Sequence, residues 1–180
     1  MDTKRFARFS SPGHAVTGDR HRSGAEKRER VGYDFAHSVV DDHSRLAYTE
    51  LHPDQRAATV TAFLDRALAF FAAKGIHARR LMSDKHFSYS RNAALGELLA
   101  RRGIHHLFIE PRRPQTNGKV ERYQQTLKRE WALSQRYRSS AHRARALPHW
   151  LHHYNERRRH SAIGNHPPIS RVRNLPGQDS

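Results

Sequence analysis

The chain has 180 residues, with 33 Lys plus Arg against 17 Asp plus Glu for a formal charge of +16, 15 His and no Cys. That length carries one domain with its own core, and the lack of Cys excludes a disulfide framework and any thiolate zinc site. Arginine, whose planar fork matches phosphate oxygens, dominates the cations, so a polyanionic partner is expected.

Met1 to Phe9 reads as a first strand, and the Gly-, His- and charge-rich segment 10–32 as a long exposed basic loop. Phe35 to Val40 and Leu46 to Leu51 flank the polar connection Asp41-Asp42-His43-Ser44-Arg45, which gives an antiparallel hairpin with Ser44 and Arg45 bonding the turn. Ala57 to Ala73 places Val60, Phe63, Leu64, Ala67, Leu68 and Phe71 at helical intervals, an amphipathic helix ending near Gly75. Its most apolar run, Ala67 to Ala73, is far too short to cross a membrane, so no membrane partner is expected and the cytoplasm is the expected location. Arg79 to Ser83 is a strand running into Asp84, Asn92 to Arg102 a helix, and Ile104 to Ile109 another strand. A long helix follows with Val120, Tyr123, Leu127 and Trp131 on one face, and a second from about Ala141 to Glu156. The order of elements is α/β: an antiparallel meander feeding parallel strands through helical crossovers. Residues 1–160 form the expected core and 161–180 an irregular basic tail.

In so basic a chain, carboxylates at strand ends require explanation, because they are natural ligands for Mg²⁺ and Mn²⁺. Asp84 closes a predicted buried strand, where α/β folds place ligand-binding groups. Glu121 adjoins the apolar Val120 on a helix margin. Taken singly, either is equally a solvated acid or a loop cap.

The segment Pro114-Gln115-Thr116-Asn117-Gly118-Lys119-Val120-Glu121-Arg122 resembles a signature of insertion-sequence transposases and retroviral-type integrases. Trp150, Tyr154-Asn155, Arg158, His160 and Pro167 are similar to the C-terminal pattern of the same transposases. The resemblance implies a ribonuclease H-like fold with a mixed five-stranded sheet flanked by helices. It also implies a metal-binding and catalytic triad of Asp2, Asp84 and Glu121. Glu121 follows Asp84 at one position more than the family's usual spacing. Asp2-Thr3-Lys4 matches the family's context for the first acid better than the conspicuous Asp41-Asp42 pair does, which is read as a turn.

The implied reaction is hydrolysis of a phosphodiester at a transposon end, then attack of the freed 3′-hydroxyl on target DNA. Two Mg²⁺ or Mn²⁺ ions would assist it. Implied partners are transposon-end and target DNA, further copies of the chain, or a full-length transposase. Arg112, Arg113, Lys119, Arg122, Lys128 and Arg158 are the expected phosphate contacts, with binding strongly dependent on salt. For Lys128, two helical turns beyond Glu121, a solvated lysine and a DNA contact fit equally.

Two departures stand out. Lys85-His86 follows Asp84 where the family reads Asn-Gly or Asn-His, and a cation there opposes a divalent ion. The family also has a helix-turn-helix region and the start of strand one ahead of its first acid, and this chain is expected to be a catalytic-core fragment. The alternative is therefore an inactive, truncated transposase remnant that only binds DNA or oligomerises. A basic RNA-associated protein explains the charge but not the carboxylates. His149, His152 and His153 recur at helical spacing without a further zinc ligand nearby, and Tyr123 and Phe87 are read as core or site-wall residues.

Overall fold

The computed structural model describes residues 1–11, 32–109 and 118–172. Its strands are β1 (Asp2–Ala7), β2 (Tyr33–Val40), β3 (Ala47–His52), β4 (Arg80–Ser83) and β5 (His105–Phe108). The helices are α1 (Ala57–Ala72), α2 (Phe87–Ser90), α3 (Ala93–Arg101), α4 (Gly118–Leu127), α5 (Ser140–Glu156) and α6 (Pro168–Val172). The expected 10–32 loop falls almost entirely outside the described residues, as does the segment carrying Arg112, Arg113 and Pro114 to Asn117.

Strands β1, β2 and β3 form an antiparallel meander, with Asp2 opposite Ser38 and Val39 opposite Tyr48, while β4 and β5 pair in parallel. The five expected strands are thus present, but in two hydrogen-bonded sets rather than one continuous sheet. The sets are linked where the Met1 ammonium donates to the Met82 carbonyl at 2.6 Å. All of β1 pairs with β2, whereas only its leading end meets β4, too short an overlap for a ladder.

The meander is buried on both faces, and strand alternation decides which side chain goes where. Toward α1, Val39 and Tyr48 join a cluster of Val60, Phe63, Leu64, Ala67 and Leu68 with Leu81 and the α3 residues Leu95, Leu98 and Leu99. Toward α4 and α5, Phe6, Ala36 and Ala47 pack with Tyr123, Leu127, Trp131, Leu147, Trp150 and Tyr154. Each fully buried side chain of this size is worth roughly 1.5–3 kcal/mol of transfer free energy.

Local chemistry fixes the ends of the elements. Asp41 accepts from Ser44 N–H (2.7 Å) and Ser44 Oγ (2.6 Å), closing the β2–β3 turn, and Arg45 takes a left-handed conformation with φ 67°. Asn92 caps α3, its Oδ1 accepting from Leu95 N–H at 3.1 Å, and Ser139 caps α5 through His142 N–H at 3.1 Å. Asn155 donates to the Ala47 carbonyl (2.8 Å) and accepts from Ala47 N–H (2.9 Å), satisfying the outer edge of β3 as a strand would.

The sequence predicts one continuous helix from 118 to Trp131. Instead α4 widens into a π-helical stretch, Lys128–Ala132, closed by Leu133 N–H donating to the Lys128 carbonyl (3.0 Å). The wide turn carries buried Trp131 to where its indole N–H reaches the Arg143 carbonyl at 3.0 Å. Nor is the chain from 161 to 172 irregular: Ser161–Ile163 forms a 3-10 turn and α6 packs Ile169 and Val172 against Leu46 and Phe71. Apolar spacing too short to register as a period hid this last helix. No helix among the described residues is long and apolar enough to cross a membrane.

Candidate active site

Asp2 opens β1 and Asp84 directly follows β4, and the Met1–Met82 hydrogen bond holds these two strand ends side by side. Burial pushes the Asp2 carboxyl up and the Asp84 charge adds to this, against the Thr3 N–H that Asp2 accepts at 2.7 Å. Asp84 is exposed, and its Oδ1 accepts from His86 N–H at 2.9 Å, turning the chain into α2. The structure therefore brings the first two expected acids together.

Beneath the pair runs a buried chain of hydrogen bonds that the sequence reading does not contain. His37 Nε2 lies 2.9 Å from the Asp54 carbonyl, which can only accept, so that nitrogen carries the proton. Burial holds the His37 pKa down and the ring neutral, leaving Nδ1 to accept from Thr3 Oγ1 at 3.0 Å. Thr3 Oγ1, its proton given to His37, accepts from the Tyr89 hydroxyl at 2.7 Å. Burial, reinforced by Asp2 and Asp84, pushes the Tyr89 hydroxyl pKa up, so it stays protonated. The chain ties β2, β1 and α2 together directly behind the two carboxylates. A sequence signal for it existed: alternation places His37 on the same inward face as Val39.

Glu121 is exposed in the first turn of α4. Among the described residues, His, Asp and Glu side chains nowhere gather in a group of three that could hold a metal, so Glu121 does not stand with Asp2 and Asp84 as one cluster. The two Asp are hard oxygen donors of the kind Mg²⁺ and Mn²⁺ take, and they fit such an ion as a two-carboxylate partial site. One turn beyond Glu121, Gln124 is 4% exposed with neither amide atom partnered among the described residues. A buried orphan amide of this kind calls for a missing partner.

The cationic candidates differ in their engagement. Lys119 pairs with Asp42 of the hairpin turn, holding the start of α4 against that turn. Arg158 closes its fork on Glu130, with Nε and Nη2 at 2.7 and 2.8 Å from the two carboxylate oxygens. Arg122 and Lys128 are exposed on α4 and at the start of the π stretch, and Lys85 is exposed beside Asp84. Arg112 and Arg113 lie outside the described residues. Phe87 corrects its expectation as a core residue: it is 62% exposed at the start of α2, because Ser88 and Tyr89 take the buried positions of that short helix. Tyr123 is core, as are Trp131, Trp150 and Tyr154, while His149, His152 and His153 are exposed on α5.

Comparison with known proteins agrees with this architecture. The 39.2 kDa protein of insertion element IS476 from Xanthomonas euvesicatoria is 28% identical over 145 residues, which cover 79% of this chain and 40% of the relative's length. Among solved structures, the catalytic core domain of BIV integrase superposes with a TM-score of 0.59 at 21% identity over 79% of this chain and 86% of that one. The HTLV-2 integrase catalytic core domain, in complex with magnesium, gives 0.60 at 13% identity over 78% and 86%. The simian T-cell lymphotropic virus intasome gives 0.63 at 15% identity over 84% and 52%. The fold is thus that of an integrase catalytic core, ribonuclease H-like. Two family models, each described as integrase core domain, match residues 11–114 and 102–168, and with the first spanning more than half of its length the chain belongs to the integrase core domain family.

Proposed function

We propose that this chain is the core of a DNA transposase acting by metal-dependent phosphodiester hydrolysis and strand transfer, with Asp2, Asp84 and Glu121 as its catalytic carboxylates. The observation that carries this reading is the pairing of Asp2 with Asp84, each at the end of a different strand, on a rigid buried support. Like charges held together against mutual repulsion mark a site built for a cation. The insertion-element relative supports the DNA-transposition reading, and the magnesium in the HTLV-2 structure supports the choice of ion. A divalent ion bound there would activate the attacking oxygen and stabilise the leaving one.

The chain's own residues do the rest. Thr3 N–H fixes one Asp2 oxygen, and His86 N–H does the same for Asp84. The Tyr89–Thr3–His37 chain keeps the two acids from drifting apart. Glu121 joins the pair through a shift of the first turn of α4. Lys128, Arg122, Lys119, Arg112 and Arg113 hold the phosphate backbone, and Arg158 contributes only by leaving Glu130. Transposon ends and target DNA are the substrates, in a complex of several copies of this chain or with a full-length transposase. The expected location is the cytoplasm, on DNA.

A second reading, an inactive core that binds DNA or oligomerises, draws on Lys85 beside Asp84 and on the separation of Glu121 from the Asp pair. Mn²⁺-dependent nicking of supercoiled plasmid separates the two. Nicking by the unaltered chain that disappears in Asp84→Asn establishes the enzyme. No nicking by the unaltered chain, Asp84→Asn or Lys85→Asn establishes the inactive core, and nicking by Lys85→Asn alone identifies Lys85 as the inactivating residue.

A further inference from the structure

One rung crosses all three strands of the meander, with Asp2 opposite Ser38 and Ser38 opposite Thr49. Helix α4 packs over β2 at this rung. Tyr123 marks one end of the crossing: its hydroxyl bonds Thr49 Oγ1 of β3, and its ring meets Trp150 and Tyr154 of α5 at centroid distances of 6.0 and 5.0 Å. That flank of α4 therefore looks toward β3. Gln124 follows Tyr123 by one residue, which is about 100° round the helix and about 1.5 Å along it. Val120 and Leu127 fall between the two, so Gln124 occupies the opposite flank of the buried face, at the same level and toward β1.

Alternation decides which β1 side chains stand there. Phe6 and Ala36 lie in the core beneath α4 and α5, and Asp2 and Lys4 share their face, since they pair with Ser38 and Ala36. Gln124 thus stands over the Asp2 end of the rung, buried and with neither amide atom partnered among the described residues. A buried amide in this state needs an acceptor for Nε2 and a donor for Oε1. The Asp2 carboxylate supplies the first and the Lys4 ammonium the second. Packing alone does not account for the residue, because a Leu or Met would fill the same space with no polar group to satisfy.

We propose that Gln124 is a positioning residue for Asp2, a latch that closes when the first turn of α4 carries Glu121 toward the Asp pair. In the closed arrangement Nε2–H donates to the Asp2 carboxylate and Oε1 accepts from Lys4 Nζ. The proposal rests on the catalytic reading of Asp2, Asp84 and Glu121. Glu121 and Lys128 lie about 60° and 40° beyond Gln124 on the same side of α4, so the side that the latch draws toward β1 is the one carrying Glu121. A carboxylate has about four acceptor sites, and Thr3 N–H takes one at 2.7 Å, so a second donor leaves room for a divalent ion. The second donor also holds the carboxylate in one orientation before an ion arrives.

The test follows Mn²⁺ uptake by the full chain without DNA, from the electron paramagnetic resonance of the free ion, beside urea unfolding. Gln124→Met removes the amide at nearly constant volume. It is expected to bind Mn²⁺ at least about fivefold more weakly while its urea midpoint stays unchanged or rises, because an unpaired buried amide is lost. In an Asp2→Asn background the same exchange should change Mn²⁺ affinity no further. As a second readout, the Gln124 side-chain amide resonance should shift when Mg²⁺ is added to the unaltered chain and stay still in Asp2→Asn. Full Mn²⁺ affinity in Gln124→Met, a loss that adds to that of Asp2→Asn, or an amide resonance blind to Mg²⁺ would overturn the latch, even where Asp2→Asn and Asp84→Asn weaken uptake as the catalytic reading requires. Uptake that ignores Asp2→Asn and Asp84→Asn, or no uptake at all, sinks that reading and the latch with it.

Discussion

At one end of the β1–β2 ribbon, Asp34 is 8% exposed and enclosed by cations: Arg8 Nε lies 2.6 Å from one oxygen and Arg143 Nη2 3.1 Å from the other. Arg143, itself buried, also donates to the Ala7 carbonyl at 2.9 Å and spreads its guanidinium over the rings of Phe6, Phe9 and Trp131. At the other end, Asp2 is half-buried beside a second carboxylate, and burial and Asp84 both oppose its charge. One acid is neutralised from within and holds the fold together. The other has its charge opposed by burial and by Asp84 and offset only in part by the Thr3 N–H, the Met1 ammonium and Lys4, an arrangement that stability alone does not favour and cation binding does.

The sharpest way to break this contrast is to remove the internal cation. Arg143→Met leaves Asp34 with Arg8 alone in a buried setting and is expected to cost about 3 kcal/mol in denaturant unfolding. Adding Asp34→Asn should recover part of that loss, because the stranded charge goes with it. Asp2→Asn should act oppositely: unfolding free energy unchanged within about 1 kcal/mol or raised, and Mn²⁺-dependent nicking abolished. Comparable destabilisation by Asp2→Asn and Arg143→Met would erase the distinction between the two ends.

A third acid sharpens the comparison through pH. Burial raises the Glu50 carboxyl, but hydrogen bonds from Arg66, Tyr48 and His52 outweigh it and hold the pKa at about 2, below its ordinary 4.5. A depressed carboxylate contributes stability that is complete above the ordinary value and is lost as pH falls from 4.5 toward 2. Glu50→Gln should flatten that part of the acid-unfolding profile by on the order of 1–2 kcal/mol, the half-exposed Arg66 limiting the effect. The smallest effect is expected at the exposed Arg158–Glu130 pair, where Arg158→Met should cost about 0.5 kcal/mol. It should also lower the salt dependence of DNA retention less than Lys128→Met, for which a drop of about one in slope is expected.

Elements with a strong period were readable from the sequence. The stripe from Val60 to Phe71 and the Asp41–Arg45 turn carry their own instructions within a few residues, and Asp84 follows from the end of a short strand. Asp2 emerged only through its likeness to a family context, since a single acid near a chain end has no periodicity. The Tyr89–Thr3–His37–Asp54 chain and the Arg143–Asp34 pair were invisible for a different reason. Their partners are brought together by tertiary packing, and nothing local in Thr3 or Arg143 specifies a neighbour so far along the chain. Phe87 was misplaced because α2 is too short for apolar spacing to say which way a ring points. The resemblance pointed to Asn155, but only the structure shows why an amide is needed there: it has one donor and one acceptor for the two groups of Ala47.

The π-helical stretch at Lys128–Ala132 makes α4 a screw with a slipped thread. Everything beyond Lys128 is out of phase with the helix before it, and it is the slipped phase that brings Trp131 edge-on to Phe6, with ring centroids 5.3 Å apart. An even α-helical pitch through the same residues would turn the indole away from both Phe6 and the Arg143 carbonyl. The turn holds one residue more than an α-helical turn does, so a one-residue deletion here should be better tolerated than one in the middle of α4, which would rotate every later side chain by about 100°.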